Sequence, residues 1–178
     1  MSARQPVLPL TQHFAAHDWV PNHPRLPVLI YKQFFTDGDI ASRFEQRFAD
    51  NGWPPQWRDG IFDYHHYHSN AHEVLGIAAG SARLLLGGPG GKEFEVKTGD
   101  ALLLPAGTGH RRLTASEDFL VVGAYPEGQL DYDLCRDAAS PQRLARIAAL
   151  PFPERDPLNG LTPPLGEYWE GERDARRK

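Results

Sequence analysis

Three side chains that commonly bind divalent cations stand close together near the middle of the chain. In GIFDYHHYHSNAHEVLGIAAG, residues 60–80, His66 and His68 are separated by one residue, and Glu73 follows after a short polar stretch. Side chains of an extended strand alternate between faces, so both histidines point the same way. A turn through Ser69, Asn70 and Ala71 brings Glu73 back onto that face from the next strand. Two imidazoles and a carboxylate converging on one volume suit a borderline divalent ion such as manganese, iron, nickel or zinc. A fourth ligand is expected from GDALLLPAGTGH, a hydrophobic strand that breaks at Pro105–Ala106–Gly107 and ends on His110. The same parity places His65 on the face opposite His66 and His72 out of phase with Glu73, so neither is expected to be a ligand.

Gly60, His66, His68, Glu73 and Gly80 fit G-x5-H-x-H-x4-E-x6-G at every spacing. Gly99, Pro105, Gly107 and His110 fit G-x5-P-x-G-x2-H. On these two motifs, over roughly residues 58–126, the chain resembles the cupin superfamily. The family's second motif commonly closes with an asparagine where this chain has Thr114; that asparagine is not a ligand in the family. The resemblance implies an RmlC-like jelly roll, a double-stranded β-helix barrel. It also implies one divalent transition metal per chain (Fe, Mn, Ni or Zn) held by His66, His68, Glu73 and His110. The leading helix, the HHYHSNAHEVLGIA core, the GAYPEGQ exit strand and the DPLNG tail look like the YjlB-like branch of small bacterial cupins. Within the superfamily this ligand set occurs with several metals and reactions, so the resemblance selects none of them.

Composition agrees with a mainly β fold. The 178 residues fit a single domain, and 16 prolines with 17 glycines indicate many short strands joined by turns. A net charge of −4 gives no electrostatic basis for binding nucleic acid or an anionic membrane. No basic patch or helix-turn-helix pattern is present, and no apolar run approaches a membrane span. One cysteine, Cys135, excludes an intrachain disulfide and fits a reducing compartment. The opening MSARQPVLPL lacks the apolar run of a secretory signal, so a cytoplasmic protein is expected.

The surrounding elements divide into an extension (1–57), the barrel core (58–126), and a helix with an extended tail (127–178), all within one structural domain. Leu26–Tyr31 reads as a strand. A helix follows, capped by Thr36 or Asp39, with Ile40, Ala41, Phe44 and Phe48 as the stripe that docks on the barrel. Trp53 and Trp57 are expected to plug a barrel end or an interface. Strands are expected over 61–68, 73–79, 81–86, 93–98, 101–104, 110–114 and 119–125, with GGPGG as a hairpin turn. Ala101–Leu104 is apolar on both faces, which suggests cover from a second subunit and hence a homodimer. Ser140–Pro141 caps a second helix carrying Leu144, Ile147 and Ala148, which Pro151 ends. The tail, with Phe152, Leu158, Leu161, Tyr168 and Trp169, is expected to wrap the barrel, and the final GERDARRK to fray.

Three residues are candidates for direct roles beside the ligands. Tyr64 is in phase with the histidines, Tyr125 ends the last barrel strand, and Arg112 shares the inward face of His110. Either tyrosine suits a general acid or a substrate-oxygen donor, and Arg112 suits an anion holder. Gln129 and Asp131 are weaker candidates, and Cys135 reads as an ordinary thiol. The expected function is a metal-dependent enzyme acting on a small polar molecule, of oxygenase or isomerase/lyase type. The competing expectation is a cupin that binds or senses a small molecule without turnover.

Overall fold

The computed structural model describes residues 8–160 and Trp169. Among the described residues, nine strands form two antiparallel sheets, flanked by two helices. In chain order these are β1 (Leu10–Gln12), β2 (Val28–Tyr31), α1 (Ile40–Asp50), β3 (Pro55–Asp59), β4 (Glu73–Ala79), β5 (Ser81–Leu86), β6 (Lys92–Lys97), β7 (Ala101–Leu104), β8 (His110–Ala115), β9 (Leu120–Ala124) and α2 (Pro141–Ala149). The larger sheet has the order β1-β2-β7-β4-β9-β3, and the smaller has β6-β5-β8. Leu75, Ile77, Leu84, Leu86, Leu102 and Val121 fill the space between them.

Alternation along β4 and β7 explains how the sheet is covered. Leu75, Ile77, Leu102 and Leu104 point into the barrel, while Val74, Ala78, Ala101 and Leu103 point outward under α1. The helix starts where Asp39 accepts from the Ser42 amide, and it buries Ile40, Ala41, Phe44 and Phe48. Each fully buried phenylalanine contributes about 2–3 kcal/mol. Both faces of β7 are therefore covered from within the chain, and this strand by itself calls for no second subunit.

The tail fixes α1 in place. Asp156 accepts from the amides of Leu158 (2.7 Å) and Asn159 (3.0 Å) and from the buried Tyr31 hydroxyl. The turn it closes receives donors from Arg47 to Leu158 O, Asn51 to Pro157 O and Trp53 to Arg155 O. Trp169 is fully buried, and its indole donates to Pro27 O. Leu161, Tyr168 and the terminal GERDARRK lie outside the described residues.

Three local expectations need correction. No regular strand spans residues 61–68; the strand lies earlier, as β3, within the segment read as an aromatic plug. The histidine-bearing segment is extended but makes only isolated bridges, His66 to His110 on one side and Tyr67 to Cys135 on the other. It is held one residue at a time by different neighbours, so no ladder forms. The boundary drawn at residue 57 also cuts β3, and β1, β2 and β3 all belong to the larger sheet. The first 57 residues thus build the barrel wall as well as covering it. Leu144, expected on the apolar face of α2, is 47% exposed, and Ile147 is that helix's buried residue.

Candidate metal centre

His66, His68, Glu73 and His110 meet at one end of the barrel, each at most 6% exposed. His110 opens β8, and its amide and carbonyl exchange hydrogen bonds with those of His66 at 3.0 and 3.2 Å. This brings the two imidazole centroids to 4.0 Å. His68 is reached from the second motif, because the Gly107 amide donates to His68 O at 2.7 Å. Gly107 has φ +88, and a side chain there would meet Asn22 O at 2.8 Å, so the tight turn requires glycine. Glu73, the first residue of β4, lies against His68 and His110, while the ligand atoms that all come within 4.8 Å of one another are those of the three histidines.

The hydrogen bonds fix the tautomers. Each imidazole Nδ1 faces a backbone carbonyl: Tyr64 O for His66 (3.0 Å), Thr108 O for His110 (3.0 Å) and Asp133 O for His68. A carbonyl only accepts, so all three Nδ1 atoms carry hydrogen and, in the neutral rings, all three Nε2 atoms present bare lone pairs. Two of these face a carboxylate: Glu73 Oε2 lies 3.2 Å from His68 Nε2, and Oε1 lies 3.1 Å from His110 Nε2. An acceptor facing an acceptor in a buried site is unfavourable unless a cation lies between them or one ring takes up a proton. Glu73 Oε1 has no hydrogen-bond partner among the described residues, which marks it as an atom for an ion. Two donor atoms about 2.1 Å from one ion and at right angles lie about 3.0 Å apart, so the spacing fits a divalent transition metal. The three histidine ligand atoms lie within 4.8 Å of one another.

Electrostatics favour positive charge beside Glu73. Burial, and then the neighbouring His110, push His66 down to about 3, so its ring is neutral. Burial alone would raise the Glu73 pKa, but facing His68 and His110 hold it well below the ordinary carboxylate value. Burial opposes a charge on His68, yet Glu73 outweighs it and the His68 pKa rises.

A directed chain orients the carboxylate. Trp57 Nε1 donates to the Tyr125 hydroxyl at 3.0 Å, and that hydroxyl donates to Glu73 Oε2 at 2.5 Å. Indole only donates, so the Tyr125 proton is committed to Glu73. Burial and then the Glu73 charge raise the Tyr125 pKa. Trp57 takes this position because Gly123 on the paired strand leaves room for its ring. Tyr64 stacks on Phe62 at 4.8 Å, meets the edge of His66 at 5.7 Å and lies under the Arg136 guanidinium at 3.6 Å. Arg112 lines the cavity in front of the ligands, a space of about 720 Å³ whose walls include Trp57, Leu75, Phe119 and Tyr132. His65 sits edge-on to Trp19, and His72 is buried beside Trp169 with its Nδ1 accepting from the Ala106 amide, so both lie outside the ligand group.

The segment after β9 carries what the sequence did not disclose. Residues 129–135 form a strap across the histidine segment. The Gln129 side chain accepts from the His72 amide, Asn70 donates to Asp131 O, and Tyr67 and Cys135 exchange backbone bonds. Tyr132 stacks on Tyr125 at 3.9 Å and meets the edge of His68 at 5.5 Å. Asp133 both holds His68 Nδ1 through its carbonyl and accepts from the Ser69 amide and hydroxyl. Asn22 is a second such residue, bonding Gly87 O and the Gly109 amide. Its φ of 50, in a region where asparagine is enriched, is the one local signal. Cys135 is buried, and burial followed by the charge of Asp133 pushes its thiol up to about 11.

Two antiparallel sheets enclosing a cavity, with both histidine motifs beside it, give this chain a cupin-type jelly-roll fold. It matches protein YjlB of Bacillus subtilis strain 168, an uncharacterised protein, at 38% identity over 160 residues, covering 89% of this chain and 95% of the relative. The chain belongs to the YjlB family. No protein-family model matches it. Solved structures similar to it include a DUF861 family protein from Thermotoga maritima, at 18% identity and TM-score 0.35 over 54% of this chain and 96% of that one. Acireductone dioxygenase from Bacillus anthracis, with cadmium in its active centre, gives 22% identity and TM-score 0.37 over 56% and 76%. RmlC from Streptococcus suis gives 11% and 0.35 over 66% and 69%. No helix among the described residues is long and apolar enough to cross a membrane.

Proposed function

We propose that this cupin is a metal-dependent enzyme that holds one divalent transition ion on His66, His68, Glu73 and His110 and acts on a small polar molecule in the adjoining cavity. The observation that carries this reading is three buried imidazoles with Nδ1 committed to backbone carbonyls, two of them turning Nε2 toward a buried carboxylate, an arrangement that a bound cation satisfies. Bound there, iron, manganese, nickel or zinc supplies Lewis acidity or, for a redox metal, access to oxygen chemistry. The chain contributes the rest. Glu73 is kept ionised by its neighbours, and the Trp57–Tyr125 pair fixes its plane. Leu75 and Phe119 exclude water from the inner wall. The cavity in front of the ligands is the reason to favour turnover over a purely structural ion, because a structural site is closed on all sides. Oxygenase and isomerase or lyase chemistry both fit this arrangement.

Open coordination separates the readings. Nitric oxide added to the iron-loaded protein is expected to give the paramagnetic signal of a nitrosyl complex. Absence of any spectral change in fully loaded protein would show closed coordination and favour a metal that only stabilises the barrel or holds a ligand.

A further inference from the structure

Arg112 stands in the cavity with most of its donors unused. Its Nε donates to Ile61 O at 3.1 Å, and its nearest carboxylate, Asp63, is 4.0 Å from Nη2 and 71% exposed. The remaining guanidinium N–H groups make no hydrogen bond among the described residues. An ion pair that long and that exposed is worth little, so Asp63 does not satisfy the fork. Arg112 is also the one lysine or arginine among the described residues lining this cavity. A break in the register between Arg83 and Leu84, opposite Thr114 and Arg112, aims its side chain locally.

We propose that Arg112 is a carboxylate-binding residue and that the cavity takes a small monocarboxylic acid with an uncharged, largely apolar body. This rests on the reading of the cavity as a substrate pocket. Arginine binds a planar carboxylate through two parallel N–H donors, which a neutral amide cannot match. His110 and Arg112 are two residues apart on β8, about 6.6 Å at ~3.3 Å per residue. An acid of roughly three to seven carbons at that spacing keeps its carboxylate on Arg112 while another atom reaches the imidazoles. Leu75, Phe119 and Ala115 provide the apolar wall. The rim carries Asp59, Asp63 and Glu117, all exposed, whose charge disfavours a second negative group on the ligand.

Calorimetric titration of the full chain, with and without added manganese, tests this with pyruvate, hexanoate and benzoate, their amides, and succinate. At least one monocarboxylate is expected to bind about tenfold more tightly than its amide and more tightly than succinate. That preference is expected to vanish in Arg112→Gln at unchanged metal content. Because Arg112 also holds Ile61, Asp63→Asn provides an independent arm that keeps this bond. Removing the competing carboxylate should tighten the same acid about two- to threefold. The proposal is overturned if no acid is preferred over its amide, if Arg112→Gln keeps the preference, or if Asp63→Asn weakens binding. The metal-free titrations read Arg112 alone, so loss of the metal reading leaves this result interpretable, and the converse also holds.

Discussion

Replacing Asp133 by alanine tests whether the strap is part of the metal site. The carboxylate accepts from the fully buried Ser69 through its amide, at 2.7 Å, and its hydroxyl, while the backbone carbonyl of Asp133 holds His68 Nδ1. Hydrogen bonds to a charged acceptor are worth about 1.5–3 kcal/mol each. The Asp133 side chain is 28% exposed, so the lower end applies. Loss of both bonds, with the Ser69 amide left unpaired, should therefore cost about 3 kcal/mol. The carbonyl survives in Asp133→Ala, but the strap that aims it is loosened, and supporting groups of this kind typically change metal affinity about 10–100-fold. Urea unfolding measures the first effect, and competition against a chelator in the full-length protein measures the second. Asp133→Asn keeps an acceptor for the Ser69 amide and a donor for its hydroxyl, and should recover most of both. Metal affinity of Asp133→Ala within threefold of wild type, at reduced stability, would refute the reasoning and reduce the strap to a fold element.

Two further substitutions probe the supports on either side of the barrel. Tyr125→Phe removes the donor to Glu73 and leaves Trp57 Nε1 unpaired, at about 1–2 kcal/mol by chemical unfolding; metal content should remain near wild type, and its complete loss would show that the hydroxyl is needed to hold Glu73. Asp156→Ala removes the acceptor of the Tyr31, Leu158 and Asn159 donors and should cost about 2–4 kcal/mol, more than Asp156→Asn. Burial raises the Asp156 pKa above its usual 3.8 in spite of those three donors, so the folded protein binds the proton more tightly than the unfolded chain. Wild-type stability should fall as pH rises from 3.8 through the raised value, and Asp156→Asn should lack that slope in urea titrations; an identical slope in both would contradict the assignment.

The ligand group was legible because parity survives imperfect secondary structure. His66 and His68 share a face although their segment makes only isolated bridges, and the Gly107 turn that returns the chain to His68 is written in the second motif. The stripe of α1 was equally plain, since Ile40, Ala41, Phe44 and Phe48 follow helical periodicity without interruption. What stayed hidden acts through backbone atoms or long-range contact. Asp133 grips His68 by a carbonyl that every residue possesses, from 65 positions away. Trp57 looked like a packing aromatic because its partner, Tyr125, lies just past β9, 68 positions away in the chain. The cover over β7 was not legible, because a strand apolar on both faces does not reveal which element covers it. Tyr64 shared the parity of the histidines, but the chain bends away between Phe62 and His66, and Arg136 stacks on the exposed ring face.

Elemental analysis of untagged protein purified without added metal, beside His66→Ala, His68→Ala, His110→Ala and His65→Ala, tests the central claim most directly. About one transition metal per chain is expected in wild type and in His65→Ala, with sharp loss in the other three. No metal in wild type even after reconstitution under reducing conditions, or equal loss in His65→Ala and His68→Ala, would contradict it.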